Sequence, residues 1–210
     1  GNYKKYSHSL FFGDPDYGYD VDVYRLGSNY AHYFDNAWTF KQNFAVTKTE
    51  TLGDSILASG RSVLPTIKRA INNQDKQDVN YTLDNNLQRN FNFEHINYDV
   101  MVGLDMMRER SDYYRRTDTI NDFDVNNPSY GNISIKKVGV PTEEITYSQY
   151  AGLYLRNTIK IDDDWIIGLS GRHDWTQVEI DNILTNTTTK NSDNAFTGSA
   201  SVMYRINDMF

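Results

Sequence analysis

Histidine beside aspartate, at His173-Asp174, is the pair in this sequence that most suggests proton-transfer chemistry. Neighbours on an extended strand point to opposite faces, so the two side chains cannot form a catalytic dyad. The other histidines, His8, His32 and His95, have no metal-ligand spacing, and no cysteine is present to complete a thiolate site. Asp162-Asp163-Asp164 lacks the alternate spacing of a calcium loop and reads as a solvated turn. Neither a G-x-S-x-G elbow nor a glycine-rich phosphate loop occurs. The expectation is a protein that is not an enzyme and carries no metal or cofactor of its own.

Composition narrows the classes further. The chain has 210 residues and a formal charge of −7, with no basic stripe, so a nucleic-acid partner is not expected. Its longest apolar runs are of the kind Trp165-Ile166-Ile167-Gly168-Leu169, too short for a transmembrane helix. Hydrophobic residues make up only 39% while aromatics reach 14%, with 16 tyrosines. That balance suits a loop-rich β protein or a barrel with a wet interior. The opening GNYKKYSHSL and the ending YRINDMF read as the two ends of a segment cut from something longer.

The elements that position these residues are strands. Ala151, Leu153, Leu155, Ile159 and Ile161 share one face, and Gly152, Tyr154, Arg156, Thr158 and Lys160 the other. After the aspartates, Trp165, Ile167, Leu169, Gly171, His173 and Trp175 oppose Gly168, Ser170, Arg172 and Asp174, which makes a hairpin. The same period of two recurs around residues 26–34, 38–47, 79–91, 97–106 and 196–206, giving seven sequential antiparallel strands. Gln42, Asn85 and Asn157 interrupt the apolar face.

Short turns are expected near 35–37, 92–95 and 162–164, and long polar loops near 48–76, 113–146 and 181–193. Short turns at one end and long loops at the other are the asymmetry of an outer-membrane barrel. Trp165 and Trp175 lie ten residues apart on one face. That is roughly 33 Å of strand, or about 25 Å of height when tilted, matching an apolar band between aromatic girdles. Trp38, Trp165 and Trp175 are the expected girdle residues. The fold class is therefore all-β, an antiparallel transmembrane β-barrel segment. A porin-type channel and a soluble antiparallel β-sheet binding module are the alternatives.

Four stretches then carry a family resemblance: FFGDPDY (Phe11 to Tyr17), FDNAWTFKQN (Phe34 to Asn43), VGLDMMRERSD (Val102 to Asp112) and LSGRHDW (Leu169 to Trp175). In order and spacing they resemble TonB-dependent siderophore receptors, most of all the branch that takes ferrichrome and other ferric hydroxamates. Lys41 and His173 stand where that branch has arginine and tyrosine. The resemblance implies a 22-stranded outer-membrane barrel of a Gram-negative bacterium, filled by a plug domain. Residues 1–210 would be a partial barrel domain from its middle, with the plug absent. The implied partners are a ferric siderophore, the TonB complex acting through the missing plug segment, and outer-membrane lipid with lipopolysaccharide.

A siderophore brings its own iron ligands, so a receptor grips the organic shell with aromatic and polar groups at its outer mouth. On that reasoning the ligand-binding candidates are Tyr113 and Tyr114, ranked first, then Phe11, Phe12, Tyr17 and Tyr19. Arg115 and Arg116 could pair with an anionic ligand. Inward-facing Arg156, Arg172, Asp105, Asp99 and Asp174 would either seat the plug or pair across neighbouring strands. Because its edges would be unpaired and one face apolar, the isolated segment is expected to aggregate in water.

Overall fold

The computed structural model describes residues 10–60, 63, 65–162 and 164–206; His8 and Asp163 lie outside them. The described chain is a single antiparallel sheet. Its strands are β1 (Tyr19–Tyr33), β2 (Trp38–Ala58), β3 (Thr66–Asn92), β4 (Ile96–Asp124), β5 (Ile135–Lys137), β6 (Thr142–Ile161), β7 (Trp165–Asn182) and β8 (Thr187–Tyr204). The order is β1-β2-β3-β4-β6-β7-β8, with the three-residue β5 paired to β4 beside that path. Each long strand pairs with the next in the chain, as in the wall of an up-and-down barrel.

The seven expected strands are all present, antiparallel and sequential, with the expected residues sharing a face. Their ends are not where hydrophobic alternation put them. Residues 48–58 continue β2, 66–76 open β3, 113–124 extend β4, and 187–193 belong to β8. The long loops expected at 48–76 and 181–193 shrink to short connections, and the one expected at 113–146 to residues 125–141 with β5 inside it. The physical reason lies in sequences such as Asn72-Asn73-Gln74-Asp75-Lys76-Gln77. Both faces of such a strand meet water, so no apolar period marks it, and only the ladders to β2 and β4 hold it extended. β4 alone has 29 residues, whereas crossing a bilayer needs about 9–11. A bilayer crossing would use less than half of it.

The three short turns fall as expected. Ala37 N–H donates to the Phe34 carbonyl (3.0 Å), and Phe93 N–H to that of Ile96 (2.8 Å). The second and third turns are tied together: Asp162 N–H donates to the His95 carbonyl (2.8 Å), and His95 Nδ1 lies 2.9 Å from Asp162 Oδ1.

A one-layer sheet has no sandwich core. Among the described residues the buried apolar side chains are Ala45, Ala70, Ile71, Ile120, Phe123 and Val125. All but Ala45 gather where β3 and β4 are longest, at the end away from the short turns. Elsewhere large apolar groups such as Leu153, Leu169 and Phe196 stand exposed on one face of the sheet.

Candidate functional site

The two faces of the wall differ in chemistry. One cross-strand row reads Trp38–Arg89–Val100–Asn157–Leu169–Ala200, another Phe44–Leu83–Met106–Ala151–Trp175–Asn194. These rows belong to the apolar face. Trp165 and Trp175 lie on it, 44% and 46% exposed, and His173 packs against Trp175 at a tilt, with ring centroids 4.3 Å apart. His173 therefore faces away from Asp174, as strand geometry requires.

The polar face carries a belt of two hydrogen-bonded clusters that meet where Arg172 lies beside the Tyr154 ring. Asp105 (β4), Gly152 (β6) and Asp174 (β7) form one row. Arg172 reaches across that glycine: Nη2 donates to both Asp105 oxygens (2.8 and 3.0 Å) and Nε to Asp174 Oδ1 (2.6 Å). Tyr150 O–H donates to the same Asp174 oxygen at 2.8 Å. Tyr154 lies over Gly103 and donates to Asp84 Oδ2 at 3.0 Å, while Asn86 Nδ2 donates to Asp84 Oδ1 at 3.2 Å. The guanidinium of Arg172 sits 5.5 and 5.6 Å from the rings of Tyr150 and Tyr154.

Gly103 and Gly152 make this possible, because a Cβ on either would overlap the Tyr154 ring or the Arg172 guanidinium. Gly152→Ala is expected to push Arg172 off Asp105 and Asp174, at a cost of about 1–3 kcal/mol for overpacking and lost charge-assisted hydrogen bonds. A double-mutant cycle with Arg172→Ala checks it. Strong non-additivity is the expected outcome, and additive losses would mean that Gly152 serves only the backbone.

The expected inward group is thus partly resolved. Arg172 pairs across strands with Asp105 and along its own strand with Asp174, and Asp99 accepts from Asn90 Nδ2 at 2.7 Å. Arg156 stays exposed and, with Asp84, Asp105, Arg172 and Thr197, lines an open hollow in the polar face. Tyr150, Tyr154 and Asp84 had not been singled out from sequence. The readable signal was glycine at inward positions of β4 and β6, flanked by tyrosine and arginine.

The expected ligand-binding aromatics are not brought together as a group. Tyr113 and Tyr114 lie inside β4 rather than at its end, because β4 runs on to Asp124. Tyr113 pairs with Lys76 and Glu144, Tyr114 with Asp75 and Glu143, and as strand neighbours they face opposite ways. They also stand roughly 30 Å along the strand from Phe123. Arg116 is not free for an anionic ligand, since its Nε and Nη2 both donate to Asp118. Tyr19 O–H is 2.7 Å from Ser55 Oγ at the outer end of β1–β2.

Phe11, Phe12 and Tyr17 belong to a corner that sequence reasoning missed. Asp14 and Arg69 are each 1% exposed, Asp118 and Phe123 2%. Tyr17 N–H closes the Asp14-Pro15-Asp16-Tyr17 turn on the Asp14 carbonyl (3.2 Å). Asp14 Oδ2 then accepts Gly131 N–H at 2.6 Å. Arg69 donates through Nε to the Asn121 carbonyl (3.1 Å) and through Nη1 to that of Phe12 (3.3 Å), with its guanidinium 5.1 Å from the Phe123 ring. Tyr130 O–H donates to the Phe11 carbonyl at 2.7 Å. Burial holds the Arg69 guanidinium below its ordinary pKa, against the pull of Asp14 and Asp122. The segment before β1 is thereby fastened to the β4–β5 connection, while the Phe11 and Phe12 rings remain exposed.

Asp118 fixes the other side of this corner. Burial raises its carboxyl, but Gly139 N–H (2.8 Å) and Arg116 outweigh burial and hold it below the usual carboxylate range. A depressed carboxylate stabilises the fold above its ordinary value of about 3.9 and loses that contribution as pH falls through the folded value. Hydrogen-exchange protection at Gly139 should be flat from neutral pH to about 5 and fall below about 4. Asp118→Asn should lose it already at neutral pH. Equal protection in the two proteins would contradict this role.

An antiparallel wall of long strands with one apolar and one charged face defines a transmembrane β-barrel segment. The chain matches the family described as "TonB dependent receptor-like, beta-barrel" over residues 1–210 and belongs to it. It is 25% identical over 213 residues to the ferrioxamine receptor of Yersinia enterocolitica, covering 96% of this chain and 29% of that protein. It is 24% identical over 210 residues to the ferrichrome outer membrane transporter/phage receptor of Escherichia coli K12, covering 85% and 27%. The siderophore receptor PiuA from Acinetobacter baumannii shares the fold with a TM-score of 0.81 at 14% identity, over 94% of this chain and 32% of that structure. The chain thus spans under a third of these proteins, and the family works in the outer membrane of Gram-negative bacteria.

Proposed function

We propose that the whole protein is an outer-membrane receptor and transporter for a ferric hydroxamate siderophore, energised through the TonB complex. The observation that carries the substrate class is the likeness, across most of this chain, to receptors for ferrioxamine and for ferrichrome. Both ligands wrap iron in hydroxamate groups, so the iron travels as cargo and the protein needs no metal ligands of its own. Residues 1–210 contribute a partial barrel wall, and the plug and its TonB-contacting segment belong to other parts of the protein.

The geometry supports a division of labour along the wall. Trp38, Trp165 and Trp175 act as girdle residues on the lipid face. The Arg172–Asp105–Asp174 belt with Tyr150 and Tyr154 offers the plug a rigid, wet, hydrogen-bonding seat. The exposed rings of Phe11, Phe12 and Tyr19, with Tyr17 behind them, stand at the outer mouth as contacts for the organic shell of the siderophore. Of the two leading candidates, Tyr113 faces the lumen and keeps such a role, whereas Tyr114 faces outward.

The test is growth of a bacterium that lacks its own hydroxamate receptors and expresses the full-length parent, with ferrioxamine B or ferrichrome as sole iron source. TonB-dependent growth on either is the expected result. A protein present in the outer membrane that supports growth on neither, but does so on another siderophore class, would overturn the substrate assignment.

A further inference from the structure

We infer that Arg89 and the aromatic side chains beside it form a phosphate site for a phospholipid of the leaflet next to the short turns. The inference rests on the reading of the apolar face as the lipid face. Arg89 shares a cross-strand row with Trp38 and Val100, so it projects among residues that meet lipid. The polar side chains nearest it on that face are paired within the sheet. Gln42 Nε2 donates to Asn85 Oδ1 at 2.7 Å, and Tyr98 O–H to Asn157 Oδ1 at 2.6 Å.

Arg89 is different. Among the described residues it has no ion pair or side-chain hydrogen bond, and its Nε is buried without a partner. Its guanidinium lies 4.3 Å from the Phe91 ring and 5.8 Å from that of Trp38. Trp38, Phe91 and Tyr98 form a continuous aromatic row, with centroids 6.3 and 5.9 Å apart. Rings on one side hold the cation in place and leave its remaining N–H groups nothing to donate to within the sheet.

Height along the strand decides what it meets. Arg89 stands four residues before Phe93, where the turn begins, or roughly 10 Å of height in a tilted strand. A cation at the bilayer midplane is expelled, but one near the interface is tolerated. The anions fixed at that depth are lipid phosphates, whose oxygens match the guanidinium fork. Lysine would supply the charge without the fork.

Native mass spectrometry of the full-length receptor tests this. The probes are phosphatidylglycerol and phosphatidylethanolamine, with a phosphate-free digalactosyl diglyceride of the same acyl chains for comparison. The wild type should retain one phospholipid under activation that strips the glycolipid. Arg89→Gln should lower that retained fraction roughly ten-fold, with Arg89→Lys in between. Equal retention by wild type and Arg89→Gln overturns the inference. So does equal retention of phospholipid and glycolipid by the wild type, a comparison that needs no variant to fold. A protein that bound neither lipid would count against the lipid-facing wall itself.

Discussion

Phe123→Ala will loosen the outer corner and free both the 10–18 segment and the 125–139 connection. Phe123 is 2% exposed, packs 5.7 Å from the Tyr130 ring, and lies under the Arg69 guanidinium. Truncating a buried phenylalanine costs about 3–5 kcal/mol. The remaining sheet is held by its own ladders, so the loss appears as local opening rather than global unfolding. That opening rises roughly a hundred-fold or more. Proteolytic nicking of the intact receptor on whole cells measures it, with cuts expected at 10–18 and 125–139. Val140→Ala serves as the comparison, since Val140 is 89% exposed and its truncation should change nothing. Nicking rates that match in the two variants would mean that the corner does not hold these segments.

The second large effect separates the two faces. Leu169→Arg puts a charge near the middle of the lipid face, four residues from Trp165 and six from Trp175, beside Asn157 and Ala200. Such a substitution costs about 2–4 kcal/mol in a transmembrane barrel. Ser170→Arg, one residue on, points to the polar face beside Arg156 and Ser199, where water can solvate it. Its expected cost is within ~0.5 kcal/mol. Reversible urea unfolding of the full-length protein in lipid vesicles reads both. Equal losses would contradict the assignment of the faces, whatever the ligand is.

Both effects sit where sequence and structure part company in different ways. The lipid-facing strands were legible because Trp165, Ile167, Leu169 and Trp175 alternate with Gly168, Ser170, Arg172 and Asp174, and a period of two survives wherever the two faces meet different solvents. The polar intruders Gln42, Asn85 and Asn157 looked like blemishes in that pattern. Their pairing with one another and with Tyr98 is a cross-strand fact that no single strand reveals. Beyond the membrane the pattern vanishes, and the strands through Asn72–Gln77 and Tyr113–Asp124 looked like loops. That error misplaced Tyr113 and Tyr114 at a strand end and made them seem a pair. The corner of Asp14, Arg69, Asp118 and Phe123 joins residues from three distant stretches. Only the Asp14-Pro15-Asp16-Tyr17 turn announced part of it.

The most direct test of the account is an accessibility scan of β7. Single cysteines at 165–171 in the full-length protein, free of other cysteines and spin-labelled in a lipid bilayer, would report collisions with oxygen and with a water-soluble nickel chelate. The account predicts a period of two. Oxygen contact should peak at 165, 167, 169 and 171, and nickel contact at 166, 168 and 170. A profile without that alternation, or one with the phases exchanged, would contradict a wall with lipid on the tryptophan face and water on the face of Arg172.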